Sequence, residues 1–215
     1  VSALVVAPSG SREIVPVIVK ANRAGIPVVI VDTRVDAPAL AAAGGKTATF
    51  VGSDNYEGGK LAGEFLVQKS GGQGKVAVLE GIAGHETGDQ RLSGFRDALK
   101  QSRGLQIVAS QPANWERDQG FNVFQNIMQA NPQIDALFAA NDLMALGAVE
   151  AIAAAGKSGK ITVIGFDALE EARAAVQRGA MSATIAQDPA AMGRIGVENA
   201  VRVLQGQTVP AEISV

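Results

Sequence analysis

Ala136-Leu137-Phe138-Ala139-Ala140-Asn141-Asp142-Leu143-Met144-Ala145-Leu146-Gly147 reads as a strand that runs straight into a helix. The opening apolar run is unbroken and short, as in a strand buried on both faces. The second half reads as a helix beginning at Asp142, a favourable N-cap residue. Asn141 therefore stands where a parallel strand ends and a helix begins. Open α/β sheets bind their ligands in the crevice at that carboxyl end. There Asn141 offers an uncharged donor and an uncharged acceptor.

Outward from this stretch the same unit recurs. Strands are expected at Leu4-Val5-Val6, Val28 to Val31, Ala48 to Val51, Val76 to Leu79, Ile107 to Ala109, Ile161 to Ile164 and Ala183 to Ala186, with a possible last strand near Ile213. Helices are expected between them. One runs to Arg23 and stops at Gly25. A second is capped by Ser53 and Asp54, and a third by a Thr87/Gln90 capping box. The last has Asp188-Pro189 as N-cap and first helical residue. The Ala- and Gly-rich segment after Asp32 reads as a loop. Gly71-Gly72-Gln73-Gly74-Lys75 resembles a phosphate loop only superficially. Its Gly-Lys precedes a strand, and Val76 stands where Ser or Thr is required, so it reads as a turn. Alternating strands and helices define an α/β protein with parallel sheets and right-handed crossovers.

Composition narrows the function. The chain has 215 residues, 47% of them hydrophobic, and a net charge of -2. That is enough for one large or two small cores. No basic stripe marks a nucleic-acid binder, and no apolar run approaches the ~20 residues of a membrane span. Val1 to Val6 lacks a basic n-region and reads as a strand rather than a signal peptide. Cysteine is absent, which removes disulfides, thiolate nucleophiles and Cys-ligated zinc.

Four predicted strands lead into a polar residue: Asp32, Asn141, Asp167 and Gln187. To these we add His85, Arg91 and Trp115 from the loops. Singly, each has an ordinary explanation. Asp or Asn after a strand is often a helix N-cap, His is often structural, and Trp can be core filler. As a set they suit a polyhydroxylated ligand. Carboxylates accept, Arg donates in a planar fork, and Asn or Gln does both. Trp covers the apolar face of a sugar ring.

An enzyme fits less well. Asp32 and Asp167 could form an acid/base pair of the glycosidase kind. However, neutral amides and Arg91 around them favour ionised carboxylates. The single His has no nucleophile elbow near it. One His without clustered acids makes a poor metal site, so no metal or cofactor is expected.

At these residues the chain resembles the periplasmic sugar-binding proteins of the ribose and galactose/glucose type, the substrate-binding subunits of ABC transporters. The resemblance rests on an ordered set: Gly81-Ile82-Ala83-Gly84, Arg91 with Gly94-Phe95, Ala109 to Ala113, Asn141-Asp142 with Met144 to Gly147, Gly165-Phe166-Asp167, and Ala183 to Gln187. It implies two doubly wound parallel-sheet lobes joined by a hinge, with the ligand cleft between them. Residues 1–53 and 188–210 would form the first lobe and 54–187 the second, with 211–215 returning toward the second. The family begins with a β-α-β segment without counterpart here, so the first lobe is expected to be incomplete.

The resemblance further implies that Asp32, Arg91, Asn141, Asp167 and Gln187 contact sugar hydroxyls. Trp115 falls where the galactose/glucose binders stack a Trp on the ring, and His85 has the spacing from Arg91 of their sugar-contacting His. Ribose binders carry an Arg directly after the Asp. Here Thr33 intervenes and Arg34 is counted with the site. The implied protein is a monomeric, non-enzymatic receptor in the periplasm, or lipid-anchored outside a Gram-positive cell. It would close on one monosaccharide or polyol and be read by a membrane permease. The alternative is the sugar-responsive core of a lactose-repressor-type regulator.

Overall fold

The computed structural model describes residues 1–215. In chain order the elements are β1 (Leu4–Val6), α1 (Val15–Arg23), β2 (Val28–Val31), α2 (Ala37–Ala42), β3 (Thr49–Gly52), α3 (Asn55–Ser70), β4 (Gln73–Glu80), α4 (Glu86–Leu99) and β5 (Gly104–Pro112). They continue with α5 (Arg117–Ala130), β6 (Ala136–Ala139), α6 (Asp142–Ala154), β7 (Thr162–Asp167), α7 (Glu170–Gln177), β8 (Ala183–Ala186), α8 (Pro189–Leu204) and β9 (Glu212–Ser214). The chain divides into two compact units.

The first unit comprises Val1–Asp54, Gly84–Thr87 and Asp188–Val215. Its four-stranded sheet has the order β1-β2-β3-β9, parallel throughout. Successive residues of β2 and β3 serve opposite faces, as strand pleating requires. Val28, Ile30 and Phe50 pack with Ile18 of α1, while Val29 and Val51 pack with Met192 and Ala200 of α8. Apolar residues on both faces explain why these strands read as continuous runs.

The second unit comprises Asn55–Ala83 and Gly88–Gln187. Its five-stranded parallel sheet has the order β5-β4-β6-β7-β8. The chain moves outward from β4 to β5, then reverses across β4 to β6. The topological switch point thus lies between β4 and β6, with the Ala136–Gly147 stretch on it. Around β6 the core is closed by Phe95, Phe124, Phe138 and Phe166, all fully buried. Phe95 and Phe138 stack with ring centroids 4.3 Å apart. Gly147 lets α6 approach α5, since a Cβ there would collide with the Arg117 carbonyl.

Several local readings need correction. The segment after Asp32 holds helix α2, whose N-cap Asp36 accepts from Ala39 N–H at 2.8 Å. Pro38 in its first turn carries the start signal. Helix α4 begins at Glu86, so Thr87 lies inside it rather than forming a capping box; its buried hydroxyl has no hydrogen-bond partner. The N-cap of α6 is Asn141, not Asp142. Residues 211–215 are grouped with the first unit, where β9 adds to the sheet beside β3, with Ile213 opposite Val51. The apolar edge of β3 is covered there by Ile213, which packs against the cluster of Val29, Val51, Met192 and Ala200.

Candidate functional site

In the second unit the site is built at the carboxyl ends of β6, β7 and β8. Arg91, on the first turns of α4, is 4% exposed. Its Nε donates to Asn55 Oδ1 at 2.8 Å, and its Nη1 donates to the Ala140 carbonyl at 2.7 Å and to Asp167 Oδ1 at 3.3 Å. The guanidinium lies over the Phe166 ring, 3.7 Å from its centroid. A delocalised cation suits this aromatic floor better than an ammonium would. Arg91 thereby closes the switch point and holds the last residue of β7.

Asp167 sits at φ 114 and Ala168 at φ 53, left-handed backbone without glycine. Such conformations cost about 1–3 kcal/mol each and persist where the surroundings enforce them. Gln187, one residue past β8, donates from Nε2 to Asp167 Oδ1 at 2.7 Å, and its own Oε1 is buried without a hydrogen-bond partner.

Asn141 and Asp142 fix the two turns that carry the other groups. Asn141 Oδ1 accepts from Met144 N–H at 2.9 Å as the N-cap of α6, and its Nδ2 donates to the Trp115 carbonyl at 3.1 Å. The amide therefore has a structural duty beside any ligand contact, as its N-cap position allows. Trp115 follows Asn114, both at positive φ (70 and 53). Its indole is half-buried and lies on Gly81 and Gly88, where a Cβ on Gly88 would come within 3.1 Å and one on Gly81 would collide outright. Trp115 is thus seated by design on a glycine floor rather than used as core filler.

Asp142 is fully buried. It accepts from Thr184 Oγ1 at 2.7 Å and from Leu169 N–H at 2.8 Å. Burial pushes its carboxyl up to about 6, against the pull of these hydrogen bonds. Being sealed from solvent, it cannot serve as a general acid toward a substrate.

In the first unit Asp32 ends β2 at φ 65, half-buried, its N–H donating to the Val51 carbonyl at 2.9 Å. Arg34 is held within the same unit. Both terminal nitrogens pair with the Glu212 carboxylate, and the guanidinium lies 4.0 Å from the Phe50 ring centroid. The pair holds the Glu212 carboxyl below its usual range. Of the Arg34 donors, Nε is buried without a hydrogen-bond partner. His85 is 8% exposed and belongs to the first unit's Gly84–Thr87 segment, where Glu86 N–H reaches Ser11 Oγ at 3.5 Å. The structure thus gathers Arg91, Trp115, Asn141, Asp167 and Gln187 on the second unit, and assigns Asp32, Arg34 and His85 to the first.

Sequence reasoning missed Asn55, Phe166, Asp142 and Thr184. Asn55 was hidden behind the Ser53-Asp54 cap signal. Asp142 was read as the cap itself. No group of three or more His, Cys, Asp or Glu is placed to hold a metal ion, and no helix is long and apolar enough to cross a membrane.

Residues 1–208 match the periplasmic binding protein domain. The chain is 39% identical to the D-allose-binding periplasmic protein of Escherichia coli (strain K12), over 96% of this chain and 67% of that protein. It is 41% identical to the ribose import binding protein of Bacillus subtilis (strain 168), over 100% of this chain and 67% of that one. An ABC transporter periplasmic solute binding protein from Actinobacillus succinogenes 130z, solved with bound D-allose, superposes with a TM-score of 0.95 at 43% identity, covering 100% of this chain and 76% of the other. An ABC transporter solute binding protein from Agrobacterium vitis with bound D-fucose gives 0.91 at 34%, covering 100% and 72%. These relatives are sugar- or solute-binding proteins of import systems. On the match over residues 1–208 and on these identities, the chain belongs to the periplasmic binding protein family.

Proposed function

We propose that this chain is the receptor part of a sugar ABC importer, binding one monosaccharide or polyol outside the cytoplasmic membrane without transforming it. The two units are read as the two lobes of that receptor, and a membrane permease is its partner. The observation that carries the reading is Gln187. Its Nε2 is spent on Asp167 while its Oε1 lies buried and unmatched. A buried acceptor without a donor costs about 1–3 kcal/mol, so a ligand that donates there is favoured. Asp167, held by Arg91, is an ionised acceptor beside it, and Trp115 offers an apolar face. A sugar supplies that pattern: hydroxyls that donate and accept around a ring with C–H faces.

Within this class we infer a pyranose hexose ahead of ribose, from the large stacking face of Trp115 and the added polar group of His85. Titration calorimetry with D-ribose, D-allose, D-galactose, D-glucose and myo-inositol tests both statements. Saturable one-to-one binding of at least one, recovered chemically unchanged, is the expected result. Absence of binding to every sugar and polyol in the panel, or turnover of a bound one, would overturn the receptor reading.

A further inference from the structure

We propose that Asp142 is a positioning residue: it sets the turn that presents Asp167 and so governs sugar affinity without touching sugar. The inference rests on the reading of Asp167 as a sugar ligand.

The turn after β7 is costly to hold. Asp167 and Ala168 both have positive φ, and neither is glycine. Three connections enforce it, and all lead to one buried carboxylate. Leu169 N–H donates to Asp142 Oδ2 at 2.8 Å. Thr184 Oγ1 donates to Oδ1 at 2.7 Å and in turn accepts from Ala168 N–H at 3.1 Å. Room for the carboxylate is made in β7 itself, because a Cβ on Gly165 would collide with Oδ1. Thus the backbone that follows Asp167 is referred to Asp142, which is fully buried and has no access to ligand.

An acceptor-only group is needed for this. Ionised Asp accepts at both oxygens, whereas protonated Asp turns one into a donor facing N–H and O–H groups. Burial raises the Asp142 carboxyl to about 6, so the switch between the two falls in an accessible range. Asp167 opposes the ionisation of Asp142, and Arg91, 3.3 Å from Asp167, offsets that charge. Glu170 and Glu171 at the start of α7 are exposed, the latter paired with Arg117.

The test compares wild type with Asp142→Asn, titrating D-allose and D-ribose from acid to neutral pH and following amide hydrogen exchange at residues 166–169 in the sugar-free protein. Wild-type affinity should fall as pH drops below the Asp142 transition. Asp142→Asn should bind about 10-fold more weakly at neutral pH, the scale of one lost charged hydrogen bond, and lose that pH dependence. Exchange at Leu169 should accelerate. Unchanged Leu169 exchange, or unchanged affinity with an unchanged pH profile, overturns the proposal. If wild type binds neither sugar, the sugar reading is what fails, and Leu169 exchange still decides the positioning role. Should Asp142→Asn not fold, Thr184→Val and Thr184→Ser replace it: the first should reproduce the loss, and the second, which keeps the hydroxyl, should restore wild-type behaviour.

Discussion

Gln187 Nε2 donates to the same oxygen of Asp167, at 2.7 Å, that Arg91 Nη1 approaches at 3.3 Å. Asp167 is therefore oriented from two sides before any ligand arrives. Such pre-orientation lowers the ordering cost of binding. Asp167→Ala should weaken sugar binding by about 2–4 kcal/mol, the scale of a removed charged partner in a buried hydrogen-bond set. Calorimetry that finds near-unchanged affinity would take Asp167 out of the site.

Arg91 should matter to stability as well as to ligand. Its guanidinium joins Asn55, Ala140 and Asp167 and covers Phe166. Lys keeps the charge but has neither the fork nor the planar face. Arg91→Lys should destabilise the protein by about 2–4 kcal/mol, read as a drop in the urea midpoint. A midpoint equal to wild type would mean that these contacts contribute nothing net.

The second unit was largely legible in the sequence because its strands are uniform apolar runs followed by polar ends. That punctuation alone singled out Asn141, Asp167 and Gln187 as candidates. What could not be read was division of labour. Asn141 and Asp142 look alike as cap candidates, and only the position of Met144 N–H decides between them. The pairing of Arg34 with Glu212 could not be read, because Glu212 lies 178 positions away in the chain. The strand near Ile213 was visible, but its side of the chain was not, since three residues carry too little pattern to choose a sheet. Helix α2 was lost because six Ala-rich residues without a buried face show no periodicity.

The floor beneath Trp115 gives a sharper test of its role. A Cβ on Gly81 would run into the indole. The ring, being the end of a side chain, can swing aside at modest cost, about 1–3 kcal/mol for overpacking. Gly81→Ala should therefore leave the protein folded yet displace the stacking face. This is the protein's single Trp, so its fluorescence maximum reports the displacement directly. A red shift with weakened sugar binding is expected; an unshifted maximum with native affinity would contradict it.

Asp142 should leave a signature in the pH dependence of folding. Its carboxyl is raised from 3.8 to about 6 in the folded state, so the folded state binds its proton more tightly than the unfolded chain does. Between these values the folded state carries more protons, and stability falls as pH rises through the window. The contribution levels off above it. The full change is about 3 kcal/mol. Other groups, such as Glu212 beside Arg34, run in the opposite sense. They cancel when wild type is compared with Asp142→Asn. The stability of wild type relative to the variant should therefore decline from about pH 4 to about pH 7. A constant difference would show that Asp142 titrates alike in both states.

Ligand size is the last expectation. His85 is buried, which argues against a side chain that merely faces solvent. A buried imidazole offers ring nitrogens that can donate or accept a hydrogen bond. Trp115 adds to this a larger stacking surface than a Phe would provide. On the proposed reading, a hexose, with one more hydroxyl than ribose and a broader ring face, would use both features. Trp115→Phe should reduce hexose affinity more than ribose affinity. His85→Ala should narrow the preference further, by about 0.5–1.5 kcal/mol, the net contribution of one hydrogen bond. Competition titration decides the matter. If ribose displaces allose, galactose and glucose from the wild type, and His85→Ala leaves that order intact, the pocket is built for a pentose and the hexose reading is wrong.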